Sequence, residues 1–468
     1  MSRTRRPRRR TGRPTPCYAH PLGRAMADLL GPALGRSDGR PPDRRTTCWT
    51  PLLLACSAVL AAWESARSLG ERLAAACATL DRMFPGGGRL GGASYQGWAK
   101  ALARAGDDLH RRVAARLRDL TREAGVRGRC WVRDGQLAFA VDGTRVDVPR
   151  TAANRRALRR AGRRGTGPQL YLTVLYHVGT GLPWAWEVGR STADERRHLR
   201  RMLGLLPAGA LLVADAGFVG YDLLCTLRRR GLHFLVRAGS NAHLLTGLAC
   251  AGRRREGRQA AYLWPGGDRR PGRRRRSSPL PVRLVRVARA GRRRERNGAR
   301  ARSKVAWLVT DLPARRLPDA AAGRLYALRW GVEVFFRSFK QKLGRRRMCS
   351  RTPARARREL HWSVVGLWVA QLLTARAVVA AGRGLPSWSV AAAMRVLRAA
   401  ARGGVTGRSL ASRLAACRGD AYRRTRPKAA HAWPHKKTDR PPGAPNVRPA
   451  TPAEVLNAKE VYDPRLAA

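Results

Sequence analysis

Glu333 stands among cations in the segment RLYALRWGVEVFFRSFKQKLG, and the stretch around 320–344 reads as one predicted helix. At roughly 100° per residue, Tyr326, Arg329, Glu333, Arg337 and Lys340 fall within an arc of about 80°. Leu328, Val332, Phe335, Phe339 and Leu343 occupy a similar arc on the opposite side, so that face should dock on a core. A lone carboxylate between Arg and Lys can serve a divalent cation while its neighbours hold phosphates, which is the chemistry of cutting or joining nucleic acid. An ordinary amphipathic helix has the same two stripes, so the decision rests on acids elsewhere in the chain.

Acids are scarce, 30 against 95 Lys and Arg, so their positions carry information. Asp142 closes the apolar run Leu137-Ala138-Phe139-Ala140-Val141, and Asp215 closes Leu211-Leu212-Val213-Ala214. A carboxylate at the end of an apolar strand is costly to bury unless it finds a cation or hydrogen-bond donors. Gly143 and Gly217 follow closely and allow a turn or a close approach. Taken singly, each Asp reads equally well as a turn or cap residue. With Glu333 they make three carboxylates, the donor set that two Mg²⁺ ions need in an in-line phosphoryl displacement. The rival acids are Glu187, on the strand-like AWEVGR, and Asp311, which reads as a turn after a strand in TDLP. His177, His198 and His233 lack ligand spacing, which favours core or surface roles.

The elements that must position these groups belong to a chain of 468 residues, long enough for two or three folded units with tails. A formal charge of +65 repels itself strongly without a polyanion, so DNA or RNA is the expected partner, with steep salt dependence. GC-rich codon usage accounts for Arg in place of Lys, but not for the rarity of acids. Nine Cys with no C-x-x-C pair supply neither a zinc framework nor a disulfide plan, which suits a reducing cytoplasm. The apolar segment 49–63 is too short to span a bilayer, and 361–382 is interrupted by Gln371 and Arg376, so no membrane association is expected.

Residues 1–46 combine Arg clusters with Pro and Gly and read as a disordered basic arm. The span 47–130 is helical, with Trp98, Leu102, Leu109, Val113, Leu117 and Leu120 on one stripe of a helix that Ser94 can cap, as a DNA-binding module or a packed lid. Strand signals start after Gly135, and alternating strands and helices through 131–239 predict an α/β mixed sheet covered by helices. An Arg-rich insertion with β structure occupies 240–303, where Trp264 either stacks on an unpaired base or packs a small core. The core resumes over 304–403 with a strand, the Glu333 helix and a long helix from about Pro353, and 404–468 reads as a basic, Pro-rich tail.

The spacing Tyr326-x2-Arg329-x3-Glu333-x6-Lys340 resembles the Tyr-Arg-Glu-Lys signature of the DDE transposases of the IS-four type of bacterial insertion sequences. The words LRWGVEVFFRSFKQKLG and SRTP are similar to that family, as are VDGT around Asp142 and ADAGF around Asp215, and the resemblance covers about 135–375. It implies a ribonuclease H-like fold, with Asp142 on the first strand, Asp215 after the fourth and Glu333 on a late helix. It further implies that Asp142, Asp215 and Glu333 bind two Mg²⁺ or Mn²⁺ ions for end cleavage and strand transfer on DNA. Tyr326, Arg329 and Lys340 would contact phosphates as a hydroxyl donor, a fork of donors and a point charge. Arg337 shares their stripe without belonging to the signature, and a phosphate contact or a solvated role is open to it. Arg237 and Asn241 resemble positions that face DNA after the fifth strand.

The implied partners are double-stranded DNA with terminal inverted repeats and a second copy of the chain in a synaptic complex. The implied location is the bacterial cytoplasm, at the nucleoid. The insertion contains no residue that maps onto a base-flipping role. A nuclease on the same fold that cuts without joining, and a non-catalytic basic DNA-binding protein, are the competing readings. Neither the DNA ends, nor the target, nor whether this copy is active is written in these motifs.

Overall fold

The structure, a computed structural model, describes residues 20–34, 49–85, 90, 92–158, 167–248, 260–265, 276–289, 304–385, 388–405, 407–419 and 443–466. Four helices come first: α1 (Pro21–Leu34), α2 (Pro51–Trp63), α3 (Leu69–Met83) and α4 (Tyr95–Arg127). Helix α2, PLLLACSAVLAAW, is apolar all round and is therefore buried from Leu53 to Trp63, with Pro51 in its first turn and the Thr50 hydroxyl accepting from Leu53 N. In α4 the Ser94 hydroxyl accepts from Gly97 N, and all six residues of the expected stripe are buried. Gly106, at φ 61°, kinks this helix where a side chain would be strained.

The arm expected over 1–46 needs correction at α1. Leu22, Met26, Leu29, Leu30 and Leu34 form a buried helical stripe against the other helices. Its spacing is helical, but the surrounding Arg, Pro and Gly dilute it in any average over the whole segment. The Arg clusters on either side lie outside the described residues, as do 253–259, 290–302 and 420–442.

The sheet follows as β1 (Ala138–Asp147), α5 (Ala152–Leu158), β2 (Gln169–His177), β3 (Leu182–Arg190), α6 (Glu195–Met202), β4 (Leu211–Ala214), α7 (Tyr221–Arg229) and β5 (His233–Ala238). Then come β6 (His243–Thr246), β7 (Ala260–Leu263), β8 (Leu280–Arg289), β9 (Lys304–Thr310), α8 (Asp319–Leu328) and α9 (Trp330–Arg337). A π-helical turn (Ser338–Lys342) leads to α10 (Pro353–Ala380), α11 (Val390–Ala401), α12 (Gly407–Ala415), β10 (Asn446–Pro449) and α13 (Pro452–Val461). One ten-stranded mixed sheet results, in the order β10-β6-β7-β8-β9-β5-β4-β1-β2-β3. The strands β1, β4 and β5 run parallel, whereas β2, β3 and β9 are antiparallel to their inner neighbours. The fold is thus mixed α/β, with a large mixed sheet and many helices.

Side chains alternate across a strand, so each face of the sheet has its own core. Ala138 and Ala140 join the face covered by α1–α4 and α8–α12, while Phe139 and Val141 join the face covered by α6 and α7. The N-terminal helices therefore share a core with the sheet. Arg345 fastens them: its fully buried guanidinium donates to the carbonyls of Ala61, Ala62 and Glu64 at the C-terminus of α2, where a cation complements the helix dipole. Helix α10 is long and apolar enough to cross a membrane by length and composition, yet 83% of its apolar window is buried inside the protein.

Two further expectations change. The segment 404–468 was expected as a polar tail, but β10 adds a parallel strand beside β6, and Ala458 and Leu466 are buried. Backbone hydrogen bonding makes this addition possible without an apolar signal, since β10 itself is exposed. The Glu333 helix is not continuous. The ladder tightens at Arg329, whose N–H donates to Tyr326 O while its carbonyl accepts from Val332 N, and it widens again in the π turn. Leu328, expected on the buried side, is consequently exposed, while Val332, Phe335, Phe339 and Leu343 are buried.

Candidate active site

Strands β1 and β4 pair in parallel with Ala140 opposite Val213, so two residues further on Asp142 and Asp215 lie level on neighbouring strands. Both then belong to the face on which α9 packs. Gly331 seats that helix: a methyl group there would lie 2.7 Å from the ring of Tyr176 on β2. Two residues later, Glu333 Oε1 accepts from Arg329 Nη2 at 3.1 Å, and Arg329 Nη1 is 3.8 Å from Asp142 Oδ2. The guanidinium also lies 5.8 Å from the centre of the Tyr326 ring. Sequence-identified Asp142, Asp215, Glu333, Arg329 and Tyr326 are therefore gathered in one place.

The site is short of positive charge. Asp142 is pushed up to about 6, first by burial and then by Asp215 and Glu333, against the hydrogen bond from Gly143 N and the charge of Arg329. Burial acts against the charge of Arg329, but its neighbours Tyr326, Asp142, Asp215 and Glu333 raise its pKa overall. Asp215 Oδ1 accepts from Gly217 N and so caps the short turn that follows β4.

A fourth acid, Glu195 at the start of α6, belongs to the same cluster and was missed in the sequence. It is pushed up to about 7 by burial and then by Asp142 and Asp215, with Arg145 pulling the other way. Asp194 caps the helix, accepting from Arg196 N, and Arg196 donates to Gly217 O and Val219 O just beyond Asp215. The only signal in the sequence was an acid in an acid-poor chain, masked by its ordinary place in the first turn of a helix.

Gly143 makes the crowding possible. A Cβ at this position would collide with the Tyr171 hydroxyl and lie 2.5 Å from Glu195 Oε1. Its φ is not in the left-handed region, so this glycine serves closeness rather than a turn.

The other candidates are placed elsewhere. Lys340, on the π turn, is half-buried beside Asp147 and Arg346 near the far end of β1, and burial lowers its pKa despite Asp147. Arg337 is exposed. Arg237 on β5 is one residue past the pair Ala214–Val236 and so lies level with Asp215, while Asn241 donates to Ala216 O. Trp264 is buried in a small core with Leu245, Leu248, Tyr262 and Ala458, and donates to Ser277 O. Glu187 lies on the edge strand β3, 3.8 Å from Arg201. Asp311 is no simple turn residue: it is a buried hub for Arg228, His233 and Phe234 N. His177 and His198 are buried and hydrogen-bonded, to Thr180 with Trp131 O and to Thr173 respectively.

Carboxylate oxygens without thiol or imidazole are the donor chemistry of Mg²⁺ and Mn²⁺, and the acids repel one another, so this donor set suits a hard divalent cation. Among the described residues no three His, Cys, Asp or Glu side chains already converge on one point, so holding an ion requires side-chain rotation around Arg329.

No curated protein matches the chain. A solved piggyBac transposase synaptic complex with hairpin DNA is similar at 10% identity and a TM-score of 0.39, covering 86% of this chain and 84% of that one. Residues 133–368, half of the chain, match the family described as the transposase DDE domain, and this span includes β1, β4, α6 and α9. By that match the protein belongs to the transposase DDE domain family.

Proposed function

We propose that the protein is a DNA transposase of the IS-four type that cleaves the ends of its element and joins them to a target. The observation that carries this reading is the level placement of Asp142 and Asp215 on parallel strands, with Glu333 held beside them through Arg329. The order β3-β2-β1-β4-β5, with β2 antiparallel to β1, supports a ribonuclease H-like core.

Asp142, Asp215 and Glu333 would hold two divalent cations, Mg²⁺ or Mn²⁺. When bound, such ions supply a Lewis acid for the attacking oxygen and neutralise charge at the phosphate being transferred. The chain's own contribution is placement. Arg329, already desolvated between acids, is poised to turn its donor fork to a phosphate, and Tyr326 beneath it restricts where that fork can go. Lys340 and Arg337 extend the positive charge along the helix away from the acids, where a point charge suits a continuing DNA backbone. The remaining partners under this reading are terminal inverted repeats and a second copy of the chain in a synaptic complex.

The test is nicking of DNA carrying the element's own ends, in the presence of Mg²⁺, by the parent protein and by Asp142→Ala, Asp215→Ala and Glu333→Ala. Nicking that depends on the metal and vanishes in all three variants is the expected result. If Glu333→Ala nicks as well as the parent, the site assignment is wrong. Nicking without strand-transfer products identifies a nuclease instead.

A further inference from the structure

Strand β4 ends at Ala214, while β1 runs on to Asp147. From Asp142 to Val146, β1 keeps β2 as a neighbour but has no strand on its other side among the described residues. Asp142 therefore stands at a gap in the sheet that elements on both faces reach. Helix α9 meets the gap from one face, with Arg329 Nη1 3.8 Å from Asp142 Oδ2. Helix α6 meets it from the other: Oε1 of Glu195, its first residue, is 2.5 Å from where a Cβ on Gly143 would stand.

Each side carries a row of cations leading away from the gap. On the α9 side the row is Arg329, Arg337 and, in the π turn, Lys340. On α6 the segment ERRHLRRM buries His198, Leu199 and Met202 and leaves Arg197, Arg200 and Arg201 exposed. At 100° per residue these three arginines share an arc of about 100°, and at 1.5 Å per residue Arg197 and Arg200 start about 3 Å and about 8 Å beyond Glu195 along the helix.

We propose that the α6 row holds the target DNA, so that the transposon end and its target approach from opposite faces of the sheet and meet at the gap beside Asp142. This rests on the transposase reading above, which requires two DNA backbones at one site, and adds the surface that takes the second.

Two observations separate this row from the exposed arginines found all over the chain. The first is pairing. On α4 the exposed Arg111, Arg112 and Arg127 each lie beside an acid of their own helix, whereas no acid among the described residues pairs with Arg197 or Arg200. Arg201 has only Glu187, at 3.8 Å. The second is the mount, which is unusually firm for eight residues. Arg196 donates to Gly217 O and Val219 O, His198 is hydrogen-bonded to Thr173 on β2, and a Cβ on Gly189 of β3 would collide with the His198 ring. Cations on a fixed helix lose little freedom when a phosphate arrives. Contacts of this kind go to the DNA backbone and carry no sequence information, which suits a target chosen for its backbone alone.

The experiment scores, side by side, nicking of DNA carrying uncut element ends and joining of pre-cut ends to a plasmid. The double variant Arg197→Gln/Arg200→Gln should lower the ratio of joined to nicked product by about tenfold or more. The plasmid concentration giving half-maximal joining should rise, and its salt dependence should flatten by about two counterions. Arg197→Lys/Arg200→Lys should restore most of the joining, since backbone phosphates need the charge rather than a guanidinium fork, a rescue that a merely structural defect would not give. An unchanged ratio in the Gln variant overturns the proposal and leaves the transposase reading standing. Nicking and joining that fall in equal proportion also overturn it, since the row then serves the element end or the fold. A parent protein that nicks without joining removes the transposase reading and this proposal together.

Discussion

Asp142 and Asp311 each follow an apolar run of their strand, the first in the middle of β1 and the second just past β9, yet they are treated in opposite ways. The Asp311 side chain is 1% exposed and fully matched: Oδ2 is 2.8 Å from Arg228 Nη1 and 2.6 Å from His233 Nδ1, and Oδ1 accepts from Phe234 N at 2.8 Å. Asp142 is 20% exposed, accepts only from Gly143 N among hydrogen-bond donors of the described residues, and has Arg329 no closer than 3.8 Å. Around it the fold places Asp215, Glu333 and Glu195. A carboxylate that serves the fold has its partners built in. One that serves a ligand is left in need of charge, and that need is a stability cost held in the free protein.

The contrast can be broken most sharply by removing each acid. Asp142→Ala should lower nicking by about 10³-fold or more, the scale expected when preorganised charge at the reacting phosphate is lost, while urea unfolding shows undiminished stability. Asp311→Ala should do the reverse. It leaves Arg228 and His233 without their shared acceptor, and the unfolding free energy should fall by about 3–5 kcal/mol. A folded, stable Asp311→Ala protein with no activity would reverse the two assignments.

A smaller effect sharpens the same comparison through pH. The folded-state values of Asp142 and Glu195, about 6 and about 7, lie above the ordinary carboxylate range. The native protein therefore keeps protons that the unfolded chain has already released, and this stabilisation, complete below the ordinary range, is lost as pH rises through about 6 to 7. Metal-free stability should decline across that window, by on the order of 2 kcal/mol, as read from unfolding midpoints. Added Mn²⁺ should offset the decline, because it binds the deprotonated acids. A midpoint that rises with pH in the absence of metal would contradict the crowding. The smallest effect belongs to the exposed Arg337: Arg337→Ala should reduce the salt dependence of DNA binding by about one counterion, leaving nicking at saturating DNA unchanged.

How far the sequence reveals this site depends on whether the determinant is local. Asp142 and Asp215 were legible because each terminates an apolar run in an acid-poor chain, and Glu333 because its helix has two clear stripes. Asp311 has the same local signature as Asp142, and only the distant Arg228 and His233 distinguish them. Glu195 looked like an ordinary first-turn acid, since the strands that bring Asp142 to it lie some fifty residues upstream. Helical periodicity predicted the buried face of α8 and α9 but not the tightening at Arg329, because a change in the hydrogen-bond ladder leaves the spacing of side chains almost intact. The partner of β10 is invisible for a similar reason: an edge strand joined by its backbone needs no telling side chains.

Gly143 has a consequence for how substitutions around the acids are read. An alanine at that position would leave every carboxylate of the cluster in place, yet its methyl group would displace the Tyr171 hydroxyl and the Glu195 carboxylate together. A substitution that changes no charge can thus disturb the acidic cluster, and an inventory of intact acidic residues would not register it.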